Sequence, residues 1–492
     1  MLTNAMIGLL LSAVLLGETY PETTPAEALT PDSIAGRYQE AAAKIINGTL
    51  AGNDAYRKLE RLCIDIGHRL TGSPSNVRAI EWGIEMFKGD GQENVHREKF
   101  MAPHWVRLKE SVTMTAPRLE PLAALTLGGS VGTRPEGVTA QVVVVKHWDD
   151  LEWMQEEIPG KIVLYNVPMP AYDPEKGSGY GATVEYRSRG ASRAAAKGAV
   201  GVLVRSVTAR SLRSPHTGAL RYDDANAKIP AVAVSTEDAE LIARMVARKI
   251  PVTVSMKIEA GTLDDTPSAN VIGELRGSTQ PDEIVVIGGH LDSWDVGQGA
   301  HDDGGGCVMA IEAINVLRKL QMIPRRTIRV VLWNNEENGL AGGKAYAKEH
   351  ESELPKHIAA IESDSGTFQP TGYSVECADH DRESVAEHQL RDLVRALAPL
   401  GSMRVDTGHS GADIGPMRSA GVVLMGHNVE GSKYFDYHHT AADTIDKVDP
   451  MDLSKNVAAL ATVAYILADM PERLGEGKPT ESTPEAPVSG NH

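Results

Sequence analysis

Residues 283–306, EIVVIGGHLDSWDVGQGAHDDGGG, decide the fold. The apolar run EIVVI is typical of a buried strand, and the glycine-rich segment after it leads into a helix. Ala310, Ile314 and Leu317 recur at helical spacing before the next apolar run, TIRVVLW at 327–333. A strand, a helix and a strand in this order form a βαβ unit, so the sequence predicts an α/β sheet domain. The loops at the carboxyl ends of its strands are the expected place for a site.

The stretches on either side of this unit differ in character. HIAAIES at 357–363 and VVLM at 422–425 are further buried-strand candidates, whereas 32–88 alternates helix-favouring segments with Gly and Pro turns. From about 136 to 254, short Val and Ile runs (QVVVV, KIVLY, GVLV, AVAV) are separated by Gly- and Pro-rich segments and one Ala-rich helix. The sequence therefore predicts a helical lead-in, a separate mixed domain and the α/β sheet domain, in this order.

Length and composition limit the class of protein. The chain has 492 residues, 42% of them hydrophobic, which is more than one compact core usually holds and indicates two domains. Its 66 acidic and 49 basic residues give a formal charge of -17, and no basic cluster is interleaved with aromatic residues. We therefore expect no nucleic-acid partner. Cys63, Cys307 and Cys377 fit neither a zinc ribbon nor a disulfide framework, and they allow one bridge at most.

The two termini differ from the rest of the chain in composition. The apolar run MIGLLLSAVLLG at 6–17, followed by a polar stretch with Ala26-Glu27-Ala28, predicts a secretory signal within 1–28. The chain would then be exported to a periplasmic, extracellular or lysosome-like compartment. The run is too short for a stable membrane span, and it lacks a basic n-region, so a disordered N-terminal extension is the alternative. Residues 471–492 are rich in Pro, Glu, Ser, Thr and Gly and predict a disordered tail.

The loop that follows EIVVI contains two candidate metal ligands, His290 and Asp302. A ligating imidazole usually donates its other N–H to a carboxylate or a carbonyl, which fixes the tautomer of the ring. Asp292 suits that role, and we count it among the predicted catalytic residues. The Gly run after Asp302 allows close backbone approach at the start of a helix. A glycine-rich surface loop without any ligand is the alternative for this segment.

Three more segments place polar side chains at strand ends. WNNEENG at 333–339 contributes Glu336 and Glu337, IESDSG contributes Asp364, and DYHHTAADT contributes His439. Neighbouring carboxylates at a strand end point in different directions, so one can bind metal while the other accepts a proton. Each segment alone is also typical of an acidic loop or a structural histidine. The combination at successive strand ends of one domain is what indicates a site.

Five such ligands suit two zinc ions, for which cobalt or manganese would be possible substitutes. In this arrangement Asp302 bridges the ions, His290 and Asp364 complete one set, and Glu337 and His439 complete the other. Nitrogen and oxygen ligands without thiolates are typical of hydrolytic zinc. Glu336 would take a proton from the attacking water and deliver it to the leaving amine. The predicted reaction is amide hydrolysis.

At these motifs the sequence resembles the M28 family of co-catalytic zinc peptidases. The resemblance also covers stretches away from the metal motifs: GHRLTGSPSN at 67–76, PHWVRLKES at 103–111, ESDSGTFQPTG at 362–372 and SKYFDYHHTAADT at 432–444. It implies the same five ligands and Glu336 as general base, with His438 as the non-ligand of its pair. His301 before the bridging carboxylate and Asn334-Asn335 before the Glu pair depart from the family pattern, and His301 would bear on metal preference.

The resemblance also implies a fold, a domain plan and an assembly. The expected fold is the α/β zinc-exopeptidase (phosphorylase/hydrolase-like) type, a mixed sheet with helices on both faces, formed by residues 30–129 and 259–470. Residues 130–258 would be an inserted protease-associated domain of mixed α/β structure. Such enzymes often use this insert in dimerisation, so we expect a homodimer.

The resemblance implies an exopeptidase that acts on dipeptides or short peptides, and the residues leave its polarity open. A carboxypeptidase needs cationic or hydroxyl donors for the substrate carboxylate, whereas an aminopeptidase needs acidic or carbonyl groups for the ammonium. The candidate donors, each of which would equally suit core or loop packing, are His409, Ser410, Tyr434 and His438. An inactive receptor-like protein, or a single-zinc acyl transferase or cyclase, would have the same fold. The complete set of ligands argues against both.

Overall fold

The structure, a computed structural model, describes residues 29–477. The predicted signal segment 1–28 and residues 478–492 lie outside the described residues. The helices are α1 Ile34–Ala51, α2 Ala55–Arg61, α3 Pro74–Gly89, α4 Trp148–Trp153, α5 Val184–Ser188, α6 Gly190–Ala196, α7 Thr236–Ala247, α8 Gly305–Lys319, α9 Ala341–Glu349, α10 His380–Leu393, α11 Tyr434–Tyr437 and α12 Pro450–Asp469.

The strands account for most of the remaining regular structure. They are β1 Glu93–Ala116, β2 Glu120–Pro121, β3 Ala124–Thr126, β4 Val138–Val145, β5 Ile162–Tyr165, β6 Gly201–Arg205, β7 Ala231–Val234, β8 Thr253–Leu275, β9 Gln280–His290, β10 Arg326–Trp333, β11 His357–Glu362, β12 Pro370–Glu376, β13 Arg404–Thr407 and β14 Val423–Val429. The helical lead-in, the short Val and Ile strands and the later apolar strands all lie where the sequence predicts them.

The main sheet has the strand order β13-β12-β14-β11-β9-β10-β8. Strands β11, β9 and β10 are parallel neighbours, and β8 joins the edge of β10 in the antiparallel direction. Their side chains alternate between two buried layers: Val285 and Ile287 face a core with α8 and α12, while Ile284 and Val286 face a core with α9. An apolar run buried on both faces therefore becomes a central strand. The mixed α/β sheet with helices on both faces is confirmed.

A long antiparallel ribbon of β1 and β8 connects the main sheet with a second sheet. The first residues of β8 pair with β4, and its last residues pair with β10. The second sheet continues β4-β5-β6-β7-β3, with parallel pairs from β4 to β7. Its two faces carry their own apolar cores, one against α5 and α6 and the other against α7. Strand β3 precedes the predicted domain boundary at residue 130 and still pairs with β7.

The two ends of the described chain pack against the main sheet. Helix α1 contacts α12, and the segment after α12 continues along the surface with Leu474 buried in the core. Residues 471–477, which the composition assigns to a tail, are therefore packed against the domain. Among residues 29–477, no helix is both long enough and apolar enough to cross a membrane.

Helix α8 begins very close to the end of strand β11, and this approach shapes the strand-end loops. A Cβ atom at Gly306 would lie 1.8 Å from the Ser363 carbonyl oxygen and 2.5 Å from a carboxylate oxygen of Asp303. The Ser363 carbonyl belongs to the backbone, so it cannot move away from an added Cβ as the end of a flexible side chain could. Only glycine therefore permits this contact between α8 and β11.

We predict that Gly306→Ala destabilises the fold, because the added methyl group forces α8 away from Ser363. The expected cost is about 3 kcal/mol, which corresponds to a fall of roughly 5 °C in the thermal midpoint. Gly89→Ala is the matched control, since Gly89 is also helical and nothing lies within 4 Å of an added Cβ there. Thermal unfolding followed by circular dichroism measures both variants. Equal midpoints for the two variants would contradict the close approach.

Candidate metal centre

The structure brings the five predicted ligands together at one edge of the main sheet. His290 is the last residue of β9, Glu337 lies in the turn after β10, and Asp364 follows β11. Asp302 lies in the turn that precedes α8, and His439 follows α11. Because β10, β9 and β11 are parallel neighbours, their carboxyl ends gather these side chains in one place.

The two oxygens of the Asp302 carboxylate face different neighbours. His290 Nε2 lies 3.2 Å from Asp302 Oδ1 and 3.5 Å from Asp364 Oδ1. His439 Nε2 lies 3.3 Å from Asp302 Oδ2 and 3.2 Å from Glu337 Oε2. Ligand atoms at ordinary zinc bond lengths on a tetrahedral ion lie about 3.4 Å apart. Each set therefore has the spacing of ligands around one metal ion, and Asp302 belongs to both.

Hydrogen bonds at the opposite ring nitrogens fix the orientation of both imidazoles. His290 Nδ1 donates to the backbone carbonyl of Asp292 at 3.0 Å, and His439 Nδ1 donates to the carbonyl of Thr217 at 3.2 Å. Because each Nδ1 carries a proton, each Nε2 can offer its lone pair to a metal. Both lone pairs point toward the Asp302 carboxylate.

Asp292 takes part in a way that differs from the sequence interpretation. Its carbonyl oxygen orients His290, while its carboxylate is 3.9 Å from the ring nitrogen. The carboxylate instead accepts the backbone N–H of Glu336 at 3.1 Å and the hydroxyl of Thr71 at 3.1 Å. Asp292 therefore fixes the backbone of the predicted general base as well as the tautomer of a predicted ligand.

The cluster concentrates buried negative charge without enough donors to compensate it. Burial, followed by the charge of Asp302, raises the pKa of Glu337 well above its usual value. Burial lowers the pKa of His290, but the nearby carboxylates, Asp364 first, outweigh it and hold that pKa well above the ordinary value. Glu337 Oε1, Asp364 Oδ1 and Asp302 Oδ2 have no hydrogen-bond donor. Unpaired buried acceptors of this kind fit a cation, which competes with protons for the same atoms.

The donor chemistry is nitrogen and oxygen throughout. Within residues 29–477, two groups of His and Asp side chains have the spacing to hold a metal ion: His290 with Asp302 and Asp364, and Asp302 with His438 and His439. His438 Nε2 lies 3.9 Å from Asp302, farther than His439, which also reaches Glu337. The geometry thus favours His439 as the ligand of the pair. The rings of the two histidines are stacked with centroids 3.5 Å apart.

A cavity of about 910 Å³ opens onto this cluster, and both domains line it. Its volume is that of a site for a small molecule or a short peptide. Of the predicted substrate contacts, His409, Tyr434 and His438 lie on its wall. Ser410 does not line the cavity, because its hydroxyl group donates to the Glu376 carboxylate at 2.6 Å behind the wall.

Two of the three residues that depart from the family pattern, His301 and Asn334, bond and pack away from the cluster. His301 Nδ1 accepts the N–H of Thr367 at 3.2 Å, and its ring stacks on Phe368 with centroids 4.5 Å apart. The side-chain amides of Asn334 and Asn76 form two hydrogen bonds with each other, and these bonds hold helix α3 of the lead-in near the site. His301 is therefore a packing residue beside Asp302, which the sequence predicts as the bridging carboxylate.

Comparisons with known proteins identify the family of the chain. Residues 270–464 match the model for peptidase family M28. Carboxypeptidase Q from Mus musculus is 40% identical over 440 residues, which cover 89% of this chain and 91% of that protein. The chain belongs to peptidase family M28. Carboxypeptidase Q from Homo sapiens is also 40% identical, over 438 residues that cover 88% of this chain and 90% of that protein.

Solved structures give the same result for the fold of this M28 peptidase. The crystal structure of a peptidase M28 precursor from Shewanella amazonensis SB2B superposes on this chain with a TM-score of 0.84 at 37% identity. The match covers 91% of this chain and 100% of that chain. A zinc aminopeptidase from Bacillus subtilis superposes with a TM-score of 0.63 at 20% identity, over 86% of this chain and 96% of that one. The second likeness is one of fold alone.

The second sheet of the M28 peptidase contacts the metal centre directly, which sequence patterns do not reveal. Thr217 receives the His439 Nδ1–H at its carbonyl and donates its own N–H to the His439 carbonyl at 3.1 Å. His216 Nδ1 lies 2.8 Å from the carbonyl oxygen of His438, to which it donates. Thr208 donates its hydroxyl to the Phe435 carbonyl at 2.6 Å. The segment that carries His439 is thus held from both domains.

Two further carboxylates fix the backbone around Asp302. Asp443 accepts the N–H of His301 at 2.8 Å and the N–H of Asp302 at 3.2 Å. Asp303 accepts the N–H of His290 at 2.9 Å and the N–H of Gly306 at 2.9 Å. Sequence reasoning passed over both, although each stands in a quoted motif, the Asp-Asp pair and the HHTAADT run. Their carboxylates bind backbone N–H groups, so they position the predicted ligands and are not themselves predicted to bind metal.

We predict that Asp443→Asn weakens zinc binding by roughly 10- to 100-fold, because an amide has one acceptor oxygen and turns its N–H₂ toward a backbone donor. Asp446→Asn is the matched control, since Asp446 lies in the same loop and its side chain is exposed. Competition with a chromogenic zinc chelator measures both dissociation constants. Wild-type affinity in Asp443→Asn would show that the backbone around Asp302 needs no such anchor.

Proposed function

We propose that the protein is a zinc-dependent exopeptidase that removes the C-terminal residue of dipeptides or short peptides. The observation that carries the proposal is the convergence of the His290 and His439 Nε2 atoms on the two oxygens of one carboxylate, Asp302. Relatives that cover nine-tenths of the chain carry the name carboxypeptidase Q, which supports the chemistry and the polarity.

The proposal assigns two zinc ions to the cluster. His290 and Asp364 would hold one, Glu337 and His439 the other, and Asp302 would bridge both. Zinc held there would polarise the scissile carbonyl and make a water molecule acidic enough to lose its proton near neutral pH. Cys307, the cysteine nearest to these ligands by sequence, is engaged elsewhere, since its thiol donates to the His290 carbonyl at 3.1 Å. The nitrogen and oxygen donor set is the one that hydrolytic zinc prefers.

Glu336 is proposed as the general base. It lines the cavity beside the ligand Glu337, and the Asp292 carboxylate anchors its backbone N–H. Burial raises the pKa of the Glu336 carboxyl, the positive charge of His290 lowers it, and the negative charge of Asp364 raises it again, so that the pKa is about 8. A carboxylate with a pKa near neutrality can take a proton from the attacking water and return it to the leaving amine.

The cavity wall opposite Glu336 is proposed to bind the substrate. His438 and Tyr434 lie close to Asp302, and His409 lies near Asp364 on the same wall. Their N–H and O–H groups would donate to the carbonyl or carboxylate oxygens of a peptide. The second sheet would correspond to the protease-associated domain of the family and form one wall of the site. Homodimer formation and export of the protein belong to the same proposal.

We predict that Glu336→Gln lowers kcat on an unblocked dipeptide by about 100-fold or more, because an amide cannot accept the proton. Zinc content should stay at the wild-type level, since Glu336 is not a proposed ligand. Glu349→Gln, an exposed glutamate on α9, is the matched control and should leave kcat unchanged. Steady-state kinetics together with metal analysis distinguishes the outcomes. Near-wild-type kcat in Glu336→Gln would remove this residue from the mechanism.

A further inference from the structure

The segment GHRLTGSPSN at 67–76 is one of the stretches that resemble the family, and the proposed mechanism assigns no role to it. Arg69 lies in this segment and is 0% exposed. Among residues 29–477, no carboxylate lies within the 4.0 Å of an ion pair from its guanidinium. Removing a charge from water is costly, so hydrogen bonds must compensate that cost here.

All three nitrogens of the Arg69 guanidinium group bind backbone carbonyls. Nε donates to the carbonyl of Leu291 at 2.6 Å, Nη1 to that of Gln298 at 2.6 Å, and Nη2 to that of Gly299 at 2.9 Å. These bonds satisfy the buried charge in place of a carboxylate. Because the guanidinium is planar and its N–H groups form a rigid fork, the three carbonyl oxygens are held in one arrangement.

The three carbonyls belong to the two ends of one loop. Leu291 directly follows His290, and Gly299 lies three residues before Asp302. We call residues 291–301 the ligand loop, because it connects these two predicted ligands. One rigid group therefore binds both ends of the ligand loop. It fixes how far the end of β9 lies from the turn that carries Asp302.

Other contacts of the segment reach the same loop. The backbone N–H of Arg69 donates to the Ser293 hydroxyl at 3.1 Å, and the Thr71 hydroxyl donates to the Asp292 carboxylate at 3.1 Å. The Asn76 amide in α3 donates to the Arg69 carbonyl at 3.1 Å, which holds the arginine against the start of that helix. Arg69 is thus anchored at its backbone as well as at the end of its side chain.

We propose that Arg69 is a positioning residue, whose guanidinium sets the separation of His290 and Asp302 and thereby the affinity of the site for zinc. This inference rests on the proposed function. Arg69 is not part of the cavity wall, so it acts through the ligand loop and contacts neither zinc nor substrate. The lead-in then belongs to the catalytic unit, although it precedes residues 270–464, which match the family model.

Arg326 offers a comparison that separates positioning from stability. It is also buried, and its Nη1 donates to the carbonyls of Leu467 and Met470 at 3.2 Å and 2.6 Å. Arg326 is the first residue of β10, whereas the metal cluster lies at the carboxyl ends of the strands. Loss of either arginine leaves buried carbonyls without a donor and costs stability. Only the loss of Arg69 should disturb the cluster.

The test compares zinc binding by wild type, Arg69→Gln and Arg326→Gln. An amide cannot bind both ends of the ligand loop, so the zinc dissociation constant of Arg69→Gln should rise by roughly 10- to 100-fold. Arg326→Gln is the matched control and should keep the wild-type constant. Arg69→Lys should recover part of the loss, because an ammonium keeps the charge but lacks the planar fork. Competition with a chromogenic zinc chelator measures every constant.

Two further measurements distinguish a change at the metal site from a loss of stability. The visible absorption spectrum of the cobalt-loaded enzyme depends on the geometry of the ligands, so it should change in Arg69→Gln and not in Arg326→Gln. With zinc at saturation, kcat on an unblocked dipeptide should fall by about 10-fold or more in Arg69→Gln, while KM stays near the wild-type value. The thermal midpoint of the metal-free protein should fall in both variants.

Wild-type zinc affinity or a wild-type cobalt spectrum in Arg69→Gln would overturn the role of Arg69. Equal losses of zinc affinity in Arg69→Gln and Arg326→Gln would also overturn it, because lower stability alone would then explain them. If Arg69→Gln does not fold, Arg69→Lys decides by the same criteria. A wild type that binds no zinc, or that hydrolyses no dipeptide, would instead refute the proposed function. Failure of the two proposals is thus distinguishable.

Discussion

The metal centre depends on one constraint: the Asp302 carboxylate must face two imidazole lone pairs at once. The hydrogen bonds from His290 Nδ1 to the Asp292 carbonyl and from His439 Nδ1 to the Thr217 carbonyl impose it. With both rings fixed, the Nε2 atoms and the oxygens of Asp302 converge in a buried space that holds more acceptors than donors. Such a space is costly unless a cation occupies it, so binding a metal and completing the fold are coupled there.

The scaffold satisfies this constraint from three directions. Parallel strands place the carboxylates and His290 at one sheet edge, while the carboxylates of Asp303 and Asp443 hold the backbone on either side of Asp302. The second sheet contributes the Thr217 carbonyl. The second sheet therefore orients the imidazole of His439, a proposed ligand, and also lines the cavity. Without it, His439 Nδ1 would lose the carbonyl that accepts its hydrogen bond.

Local pattern in the sequence was enough to predict the strand ends and the five side chains that meet there. Apolar runs such as EIVVI are distinctive because both faces of the strand are buried, and βαβ order brings their ends together. The β1–β8 ribbon was missed because β1 is largely exposed and has no apolar alternation. Contacts of Thr217, Arg69 and Asp443 join segments more than 100 residues apart, which no local pattern encodes.

The structure refines one assignment and corrects another, because a residue type does not specify which of its atoms acts. Asp292 offers two kinds of acceptor, and its backbone carbonyl, not its carboxylate, accepts the hydrogen bond from His290 Nδ1–H. Ser410 has a suitable hydroxyl and follows His409, a residue of the cavity wall. That hydroxyl, however, donates its hydrogen bond to the Glu376 carboxylate and not into the cavity. Side-chain direction in a loop depends on tertiary packing, so the local sequence does not determine either choice.

The proposed metal centre has Asp302 as a bridge between two zinc ions, one on the side of His290 and the other on the side of His439. Anomalous diffraction at the zinc absorption edge, from crystals of the zinc-loaded enzyme, tests it most directly. We expect two anomalous peaks about 3.5–4 Å apart, one beside His290 and Asp364 and the other beside His439 and Glu337. A single peak, or two peaks that do not share the Asp302 carboxylate, would contradict the claim.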